Sequence, residues 1–377
     1  MTDKKKIIIL TSKGGQGLIS GSWAIKEGLE SLYGDQVKVT IIDFFEEGRS
    51  IGKNLTGLYN LLLRKSLRLS ALYIKMLHVL RTDKWSFLYR KLQKPFRELM
   101  EHEKPDAIIL TSQYIVSFVS DYKNKFGINS KTFVGNLDSG TSCIPLWFGN
   151  HIDKHIIPTD ECKIAFDRLE LKESQALMAK LTVRQKFKDA ILMPRNQLRG
   201  TLGLEQDEFY TLFTGSREGY EGIIPMIEDL CLNTISSVVV ICGKNDCLKS
   251  KIENLKMSKN LTQIYTVGWT ENVQDYMRAC DVVVAKPGKQ TMKECIATHS
   301  PMISITFPAV MEQELGNLEF MENREILIKA TSSADITDLV QFFLTNSEEL
   351  ELHRKRVEKA SEGIDSRYVA KRIWEEI

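Results

Sequence analysis

Short apolar runs alternate with amphipathic segments along nearly the whole chain. The segments between the runs carry apolar residues at helical spacing, as from Ser20 to about Leu32. Buried strands that alternate with helices indicate an α/β protein. We predict strands at residues 6–11, 37–43, 106–111, 132–137, 152–158, 210–214, 238–242, 262–267, 281–285 and 302–306.

Both halves of the chain begin with a strand and a glycine loop. The loop residues are Gly14, Gly15 and Gly17 in the first half and Gly215 and Ser216 in the second. The alternation of apolar runs and amphipathic segments becomes irregular before the second strand and glycine loop. We therefore predict a first domain at 1–195, a linker at 196–208 and a second domain at 209–377. The last helix can cross back to the first domain. This organisation predicts two Rossmann-like β/α domains facing a cleft.

One stretch, from Cys280 to Asn317, concentrates polar residues at predicted strand ends. A buried strand ends at a turn formed by Lys286, Pro287 and Gly288, and a helix follows. Its free backbone N–H groups suit an anion such as a phosphate. Further polar residues lie on this helix or open the next one, and they are Thr291, Glu294, Gln313, Glu314 and Asn317. The stretch therefore predicts a ligand site at the carboxyl edge of a sheet.

Composition limits the class of protein. The chain has 377 residues, 43% of them hydrophobic, and a net charge of +2, so overall charge makes no case for nucleic acid. Its seven cysteines contain no CxxC pair, which favours reduced thiols in a cytoplasm and argues against a zinc site. The N-terminal apolar run is too short for a signal peptide, and no run reaches the length of a membrane span.

A basic segment lies between Lys53 and Lys94. It holds ten Lys and Arg residues, interleaved with leucines and aromatic residues, against one acid, Asp83. Such a pattern is typical of a helix that lies on an anionic membrane. Two alternatives are a pair of core helices with a solvated basic face and, less favoured, a nucleic-acid surface.

The first glycine loop resembles the start of a deviant Walker motif. That motif needs a Lys and a Ser or Thr directly after its last glycine, to reach phosphates and magnesium. Leu18 and Ile19 stand there instead. The loop therefore argues against an ATPase and favours either close backbone contact with another ligand or a plain β–α turn.

Asp138 lies just past a predicted strand end. This is a common place for a catalytic carboxylate. An Asp before Ser-Gly is as often a turn residue, so both interpretations stay open.

Six motifs in order resemble GT-B glycosyltransferases, in the branch of the processive diacylglycerol glucosyltransferases and monogalactosyldiacylglycerol synthases. They are ILTSKGGQG, the basic segment, IDKHIIPTD, VVVICGKNDCLK, VGWTENVQDYMRACD and VAKPGKQTMKE. The resemblance spans nearly the whole chain. It implies a UDP-sugar donor in the second domain, a diacylglycerol-type lipid acceptor at the first, hexose transfer without a metal or other cofactor, and a cytoplasmic enzyme peripheral to the inner membrane face.

The resemblance also implies roles for individual residues. Glu294 would hold the ribose hydroxyls, and Asp138 would be the catalytic base. The nucleotide cleft would be lined by Gly215, Ser216, Gly243, Lys244 and Asn245, with Val267, Gly268 and Trp269 by the uracil. The pyrophosphate would meet Lys286, Pro287, Gly288 and Thr291, the donor sugar would meet Gln313, Glu314 and Asn317, and the acceptor loop would hold Gly14, Gly15 and Gly17.

The chain departs from the family pattern at several places. Leu18 replaces a His that serves the acceptor hydroxyl or the donor phosphate, while Lys289 and Glu312 replace glycines. No His is in register after Asp138. His151 and His155 lie nearby and suit ordinary surface positions. The chain therefore matches the family pattern less well at the acceptor positions than at the donor positions.

Three functions remain open at this point. The first is an active lipid glycosyltransferase. The second is a catalytically silent GT-B protein that binds a nucleotide sugar or a membrane and regulates a partner. The third is a glycosyltransferase with a non-lipid acceptor. A sugar-nucleotide epimerase would need acid/base residues that the sequence does not supply.

Overall fold

The computed structural model describes residues 4–12, 16–44, 69, 86–141, 145–214 and 220–377. By their contacts these residues divide into two compact units. One holds the described part of residues 4–44 and 86–185 together with Gly363–Ile377, and the other holds that of Lys186–Glu362. Each unit has its own sheet and its own hydrophobic core.

The first unit is built on a six-stranded parallel sheet. Its strands run in the spatial order β2-β1-β3-β4-β5-β6. Their bounds are β1 Lys5–Thr11, β2 Val37–Asp43, β3 Ala107–Leu110, β4 Lys131–Gly135, β5 Lys154–Ile157 and β6 Ala176–Met178. In β1 and β3 successive residues are buried on both faces of the sheet, which explains why their sequences are apolar runs.

Helices cover both faces of this first sheet. They are α1 Gln16–Tyr33, α2 Ser86–Glu103, α3 Gln113–Phe126, α4 Asp160–Asp167 and α14 Ser366–Trp374, while α5 Gln185–Asp189 begins at the division between the units. Helix α14 packs on α1 at Gly28. A Cβ there would lie 2.5 Å from the carbonyl oxygen of Ser366, so this close approach requires glycine.

The second unit repeats the architecture with a parallel sheet in the order β12-β11-β10-β7-β8-β9. Its strands are β7 Tyr210–Thr214, β8 Ser237–Ile241, β9 Ile264–Val267, β10 Val282–Ala285, β11 Met302–Ile305 and β12 Ile328–Ala330. Its helices are α6 Arg195–Leu202, α7 Ile224–Asn233, α8 Asp246–Lys259, α9 Val273–Ala279, α10 Lys289–Ala297, α11 Glu312–Glu322, α12 Ser333–Thr345 and α13 Ser347–Ser361. The predicted GT-B fold is confirmed: two parallel α/β sheets, each flanked by helices.

The stretch for which the sequence predicts a linker, 196–208, holds most of helix α6. Arg195, directly before this stretch, and Arg199, within it, each donate to the carboxylate of Asp281 at 2.8 Å. Asp281 precedes β10, so these bonds attach α6 to the second sheet. Loose hydrophobic patterning here reflects attachment through charged side chains, which periodicity does not detect.

Most of the basic segment lies outside the described residues. Its end forms the start of α2, where Leu92 is buried and Arg90, Lys91 and Lys94 are exposed. This part of the segment therefore has one face in the core and a basic face in solvent. Among the helices that the structure describes, none has the length and apolar character needed to cross a membrane.

Candidate functional site

The predicted donor-site residues of the second unit gather at one edge of its sheet. Because all its strands are parallel, the loops after β8, β9 and β10 share the carboxyl edge. Gly243 begins the first of these loops with φ +60°, in the left-handed region that favours glycine. Asn245 then caps α8, since its side-chain oxygen accepts from Leu248 N at 3.0 Å. The structure therefore gives the side chain of Asn245 a capping role.

An aromatic and a cation face each other across two of these loops. The ammonium of Lys244 lies 5.0 Å from the ring centre of Trp269, directly after Val267 and Gly268. Trp269 is 51% exposed. An exposed indole backed by a cation is a suitable platform for stacking a nucleobase.

The turn after β10 presents backbone N–H groups. Gly288 N donates to Lys286 O at 2.7 Å, and Gly288 is the N-cap of α10 without a side-chain capping bond. Asn317 Nδ2 donates to Pro287 O at 2.8 Å from helix α11, so α11 holds the turn in place. The first turn of α10, which includes Thr291, therefore has backbone N–H groups of the kind that can bind an anion.

Lys286 and Glu314 are close enough at this edge for their charges to influence each other. Burial lowers the pKa of Lys286, and the charge of Glu314 opposes that shift. Burial also raises the pKa of Glu314, which Lys286 opposes. One Glu314 oxygen accepts from Met311 N at 3.2 Å, which caps α11. Because both groups are largely removed from water, electrostatic interactions are strong at this edge.

Gln290 is a residue that the sequence reasoning missed. Its side chain is 8% exposed, and both its amide oxygen and its amide nitrogen are buried without a hydrogen-bond partner. It lies one helical turn before Glu294 on α10, two residues after the Gly288 cap. The sequence signal for Gln290 was its position, because it is a polar residue on the inward-facing side of an amphipathic helix.

Four predicted residues lie outside the described part of the chain: Gly14, Gly15, Gly215 and Ser216. Gln313 and Glu294 are half-buried on α11 and α10 respectively. Within the described residues no cluster of three or more His, Cys, Asp or Glu side chains could hold a metal ion.

On the first unit, Asp138 follows β4 in a buried loop and is 5% exposed. The indole N–H of Trp147 donates to its Oδ2 at 2.5 Å, and its own backbone N–H donates to Asn136 Oδ1 at 3.0 Å. Trp147 is fully buried. The carboxylate is therefore held in a fixed orientation by a large, immobile partner.

Leu18 belongs to the hydrophobic core. It is 6% exposed in the first turns of α1, one residue after Gly17, and packs in the cluster that contains Leu10 and Leu137. The hydroxyl of Ser22 donates to its carbonyl oxygen at 2.8 Å. An apolar contact thus occupies the position where the resembling family has a His.

Buried hydroxyl groups line the carboxyl edge of the first sheet. Ser12 Oγ lies 3.0 Å from Ser112 Oγ, and Ser22 Oγ lies 2.7 Å from Thr111 Oγ1. The sequence IILTS ends both β1, at residues 8–12, and β3, at residues 108–112, and the two strands pair in that register. This repeated ending was the signal that sequence reasoning passed over.

The surface assignment of His155 is wrong. His155 is fully buried, and burial lowers its pKa to about 4. Its Nε2 accepts from Gly149 N at 3.1 Å, so a neutral imidazole holds the loop before β5. His151 is exposed, as expected.

Comparisons with known proteins agree with this geometry. The model of the glycosyltransferase family 28 C-terminal domain matches residues 220–368, and that of monogalactosyldiacylglycerol (MGDG) synthase matches residues 21–178. Processive diacylglycerol β-glucosyltransferases of Bacillus licheniformis and Bacillus subtilis are each 25% identical over 366 residues, which cover 95% of this chain and 91% of theirs.

Two solved structures share the fold across almost the full length. Anabaena HepE in complex with UDP has a TM-score of 0.59 at 14% identity, covering 99% of both chains. Staphylococcus aureus MnaA with UDP has a TM-score of 0.61 at 12% identity, covering 98% of this chain and 95% of that one. At these identities the likeness shows the fold alone.

The chain has the GT-B fold, and the family models match parts of it to glycosyltransferases. It is similar over most of its length to the processive diacylglycerol glucosyltransferases and over residues 21–178 to monogalactosyldiacylglycerol synthase.

Proposed function

We propose that this protein transfers a hexose from a UDP-sugar to a membrane lipid such as diacylglycerol. The observation that carries the proposal is the 25% identity to processive diacylglycerol β-glucosyltransferases over 95% of the chain. The polar groups at the carboxyl edge of the second sheet supply the chemistry that such a donor needs. They lie in or beside the part that the family 28 model matches.

The donor is bound by the second unit. Trp269 stacks near the uracil, beside Val267 and Gly268, and Glu294 accepts from the ribose hydroxyls. Lys286 and the first turn of α10, with Pro287, Gly288 and Thr291, offset the charge of the diphosphate. Their positive potential stabilises UDP as it leaves, so transfer needs no metal ion. The remaining donor contacts are Gly215, Ser216, Gly243, Lys244 and Asn245 for the nucleotide and Gln313, Glu314 and Asn317 for the sugar.

The acceptor is activated by the first unit, where Asp138 is the base. Its carboxylate takes the proton of the attacking hydroxyl while the new C1–O bond forms and the bond from C1 to the UDP oxygen breaks. Trp147 keeps the carboxylate in position. The glycine loop with Gly14, Gly15 and Gly17 is the proposed acceptor contact.

The lipid acceptor is reached from an anionic membrane surface on the cytoplasmic side. The proposed contact is the basic segment from Lys53 to Lys94. Each Lys or Arg near such a surface contributes about 1 kcal/mol. The exposed Arg90, Lys91 and Lys94 on α2 agree with this role.

The test is a transfer assay with purified protein. Liposomes that contain diacylglycerol are incubated with UDP-glucose or UDP-galactose, and glycolipid is detected by mass spectrometry. A glycolipid product from either donor is the expected result. The proposal is abandoned if neither donor, nor UDP-N-acetylglucosamine, gives a product while the protein is folded and bound to the vesicles.

A second candidate is a silent GT-B protein that binds a nucleotide sugar without transferring it. The observation that favours it is Leu18, which is packed into the core where the resembling family has a His. Calorimetry with UDP separates the two candidates, because UDP binding without any product in the transfer assay supports the silent protein. Binding with turnover rejects it.

A further inference from the structure

Gln290 carries a carboxamide that has no partner within the described residues. The residue is 8% exposed in the first turn of α10, and both its Oε1 and its Nε2 are buried without a hydrogen bond. A buried polar atom without a hydrogen bond costs free energy, and most such atoms in native proteins are paired. An unpaired carboxamide two residues after the Gly288 cap therefore points to a partner that the chain itself does not supply.

Helix geometry directs this side chain toward the turn that begins α10. Side chains on a helix lean toward its N-terminus. Thr291 has this direction, because its Oγ1 lies 3.9 Å from the position that a Cβ of Gly288 would take. The turn of Lys286, Pro287 and Gly288 carries the cation and the backbone N–H groups of the proposed donor site. Gln290 therefore lies at the same end of α10 as that site.

The two unpaired atoms restrict the chemistry of the partner. Nε2 has two N–H groups to donate, whereas Oε1 can only accept. A diphosphate has acceptor oxygens alone, so it would leave Oε1 unpaired. Two neighbouring hydroxyl groups satisfy both atoms, because one hydroxyl accepts from Nε2 while the other donates to Oε1. The partner that fits is therefore a sugar, and a UDP-hexose carries such hydroxyl groups on its ribose and on its hexose.

We propose that Gln290 binds two neighbouring sugar hydroxyl groups of the bound donor. The inference rests on the proposed function, because it takes a UDP-sugar as the ligand at the carboxyl edge of the second sheet. Both amide atoms are covered in the structure, so the side chain rotates about its χ angles to meet the donor. This rotation breaks no hydrogen bond, because the carboxamide makes none within the described residues.

The test replaces Gln290 by Met, which keeps an unbranched side chain of similar length and removes both amide atoms. Calorimetry with UDP, UDP-glucose and UDP-galactose should show an affinity about tenfold lower for at least one of these ligands, because two hydrogen bonds are lost. An equal loss with all three assigns the contact to the ribose, since UDP carries no hexose. A loss confined to the UDP-hexoses assigns the contact to the hexose.

Thermal unfolding separates a ligand contact from a structural role. Q290M should melt at the same temperature as the wild type or at a higher one, because it no longer buries two unpaired polar atoms. Q290L removes the same atoms with a branched side chain and takes the place of Q290M if that variant does not fold. Q341M makes the same chemical change at an exposed position of α12 and should leave both affinity and melting temperature unchanged.

Three results would overturn the inference. They are wild-type affinity of Q290M for all three ligands, a melting temperature that falls together with affinity, and an equal loss of affinity in Q341M. None of these results contradicts the proposed donor site as long as the wild type binds UDP. A wild type that binds neither UDP nor a UDP-hexose contradicts the donor site itself and, with it, the contact of Gln290.

Discussion

Leu18 and Asp138 show how much one residue decides on the acceptor side of this protein. Leu18 is a core residue, and its neighbours Leu10 and Leu137 are apolar. Asp138 is buried as well, but its carboxylate has a hydrogen-bond donor in Trp147. If the protein transfers a sugar as proposed, Asp138 is therefore the carboxylate of this buried loop to test as the base.

Replacing Leu18 by His should destabilise the protein without improving transfer. An imidazole in this apolar cluster lacks the hydrogen bonds it would have in water, so we expect the free energy of unfolding to fall by about 1–3 kcal/mol. Urea unfolding measures the change. Leu18→Met, which conserves volume, should cost less than about 1.5 kcal/mol. A stable L18H protein with raised turnover would show that position 18 faces the acceptor.

Replacing Asp138 by Asn should remove turnover and leave donor binding intact. The amide keeps the shape of the side chain but cannot take the acceptor proton, so kcat should fall about 10²- to 10⁴-fold. Kinetics with a UDP-hexose and calorimetry with UDP measure the two effects. Asp160→Asn, at an exposed carboxylate in the first turn of α4, is the control. Equal kcat in D138N and the wild type would exclude Asp138 as the base.

At the scale of elements, side chains that connect helices to strand ends decide where the donor edge lies. Asn317 joins α11 to the turn after β10, and Asp281 joins α6 and α13 to the start of the same strand. Both residues are polar and buried. Strand β10 is thus anchored at both ends, which keeps the donor turn in place.

Asn317→Asp should weaken UDP binding through the turn. The change puts a carboxylate oxygen where an N–H now donates to Pro287 O, which leaves that carbonyl unpaired. We expect UDP affinity to fall about tenfold, as measured by calorimetry. Asn323→Asp makes the same change at the exposed end of α11 and should have no effect. Unchanged UDP affinity in N317D would mean that the turn does not need α11.

Asp281→Asn should destabilise the second unit most at neutral pH. Burial raises the pKa of Asp281, but the charges of Arg195 and Arg199 and the backbone N–H of Tyr210 outweigh it, so its pKa lies below 3.8 in the folded protein. The ionised group therefore stabilises the fold above about pH 4, and this stabilisation is lost as the pH falls through the folded pKa.

Removing one partner of such a cluster costs about 3–5 kcal/mol. Thermal unfolding between pH 3 and 7 measures this loss of stability. The difference in stability between D281N and the wild type should become smaller toward pH 3. Asp207→Asn, at an exposed site, is the control. A deficit that does not change with pH would show that shape at position 281 matters, and charge does not.

At the scale of the whole molecule, each unit has a sheet of its own, and the proposed donor groups belong to the second one. Addition of UDP should therefore slow amide hydrogen exchange at the ends of β8, β9 and β10 and in the first turn of α10. The strands of the first unit should exchange as before. Mass spectrometry of peptides from the two units measures this, and equal protection in both units would contradict the assignment of the donor to the second.

The periodicity of the chain was sufficient for most of the architecture. Apolar runs marked ten of the twelve described strands because a strand between two helical layers is apolar throughout, as in β1 and β8. The three-residue strands β6 and β12 were not predicted. Periodicity did not predict α6, which is attached to the second sheet through Arg195 and Arg199. It also did not place strand ends such as that of β4 at Gly135. Charged attachments and the last residues of strands carry no periodic signal.

The sequence by itself determined the fold class, ten of the twelve described strands and the family resemblance, because apolar spacing and loop motifs are local properties. Only the tertiary structure decided that Asn317 holds the donor turn, that His155 is a buried neutral ring and that Ser12 meets Ser112. Tertiary structure also showed that both amide atoms of Gln290 are buried without a hydrogen-bond partner. The physical reason is that hydrogen bonds and burial depend on partners far away in the chain, whereas hydrophobic spacing does not.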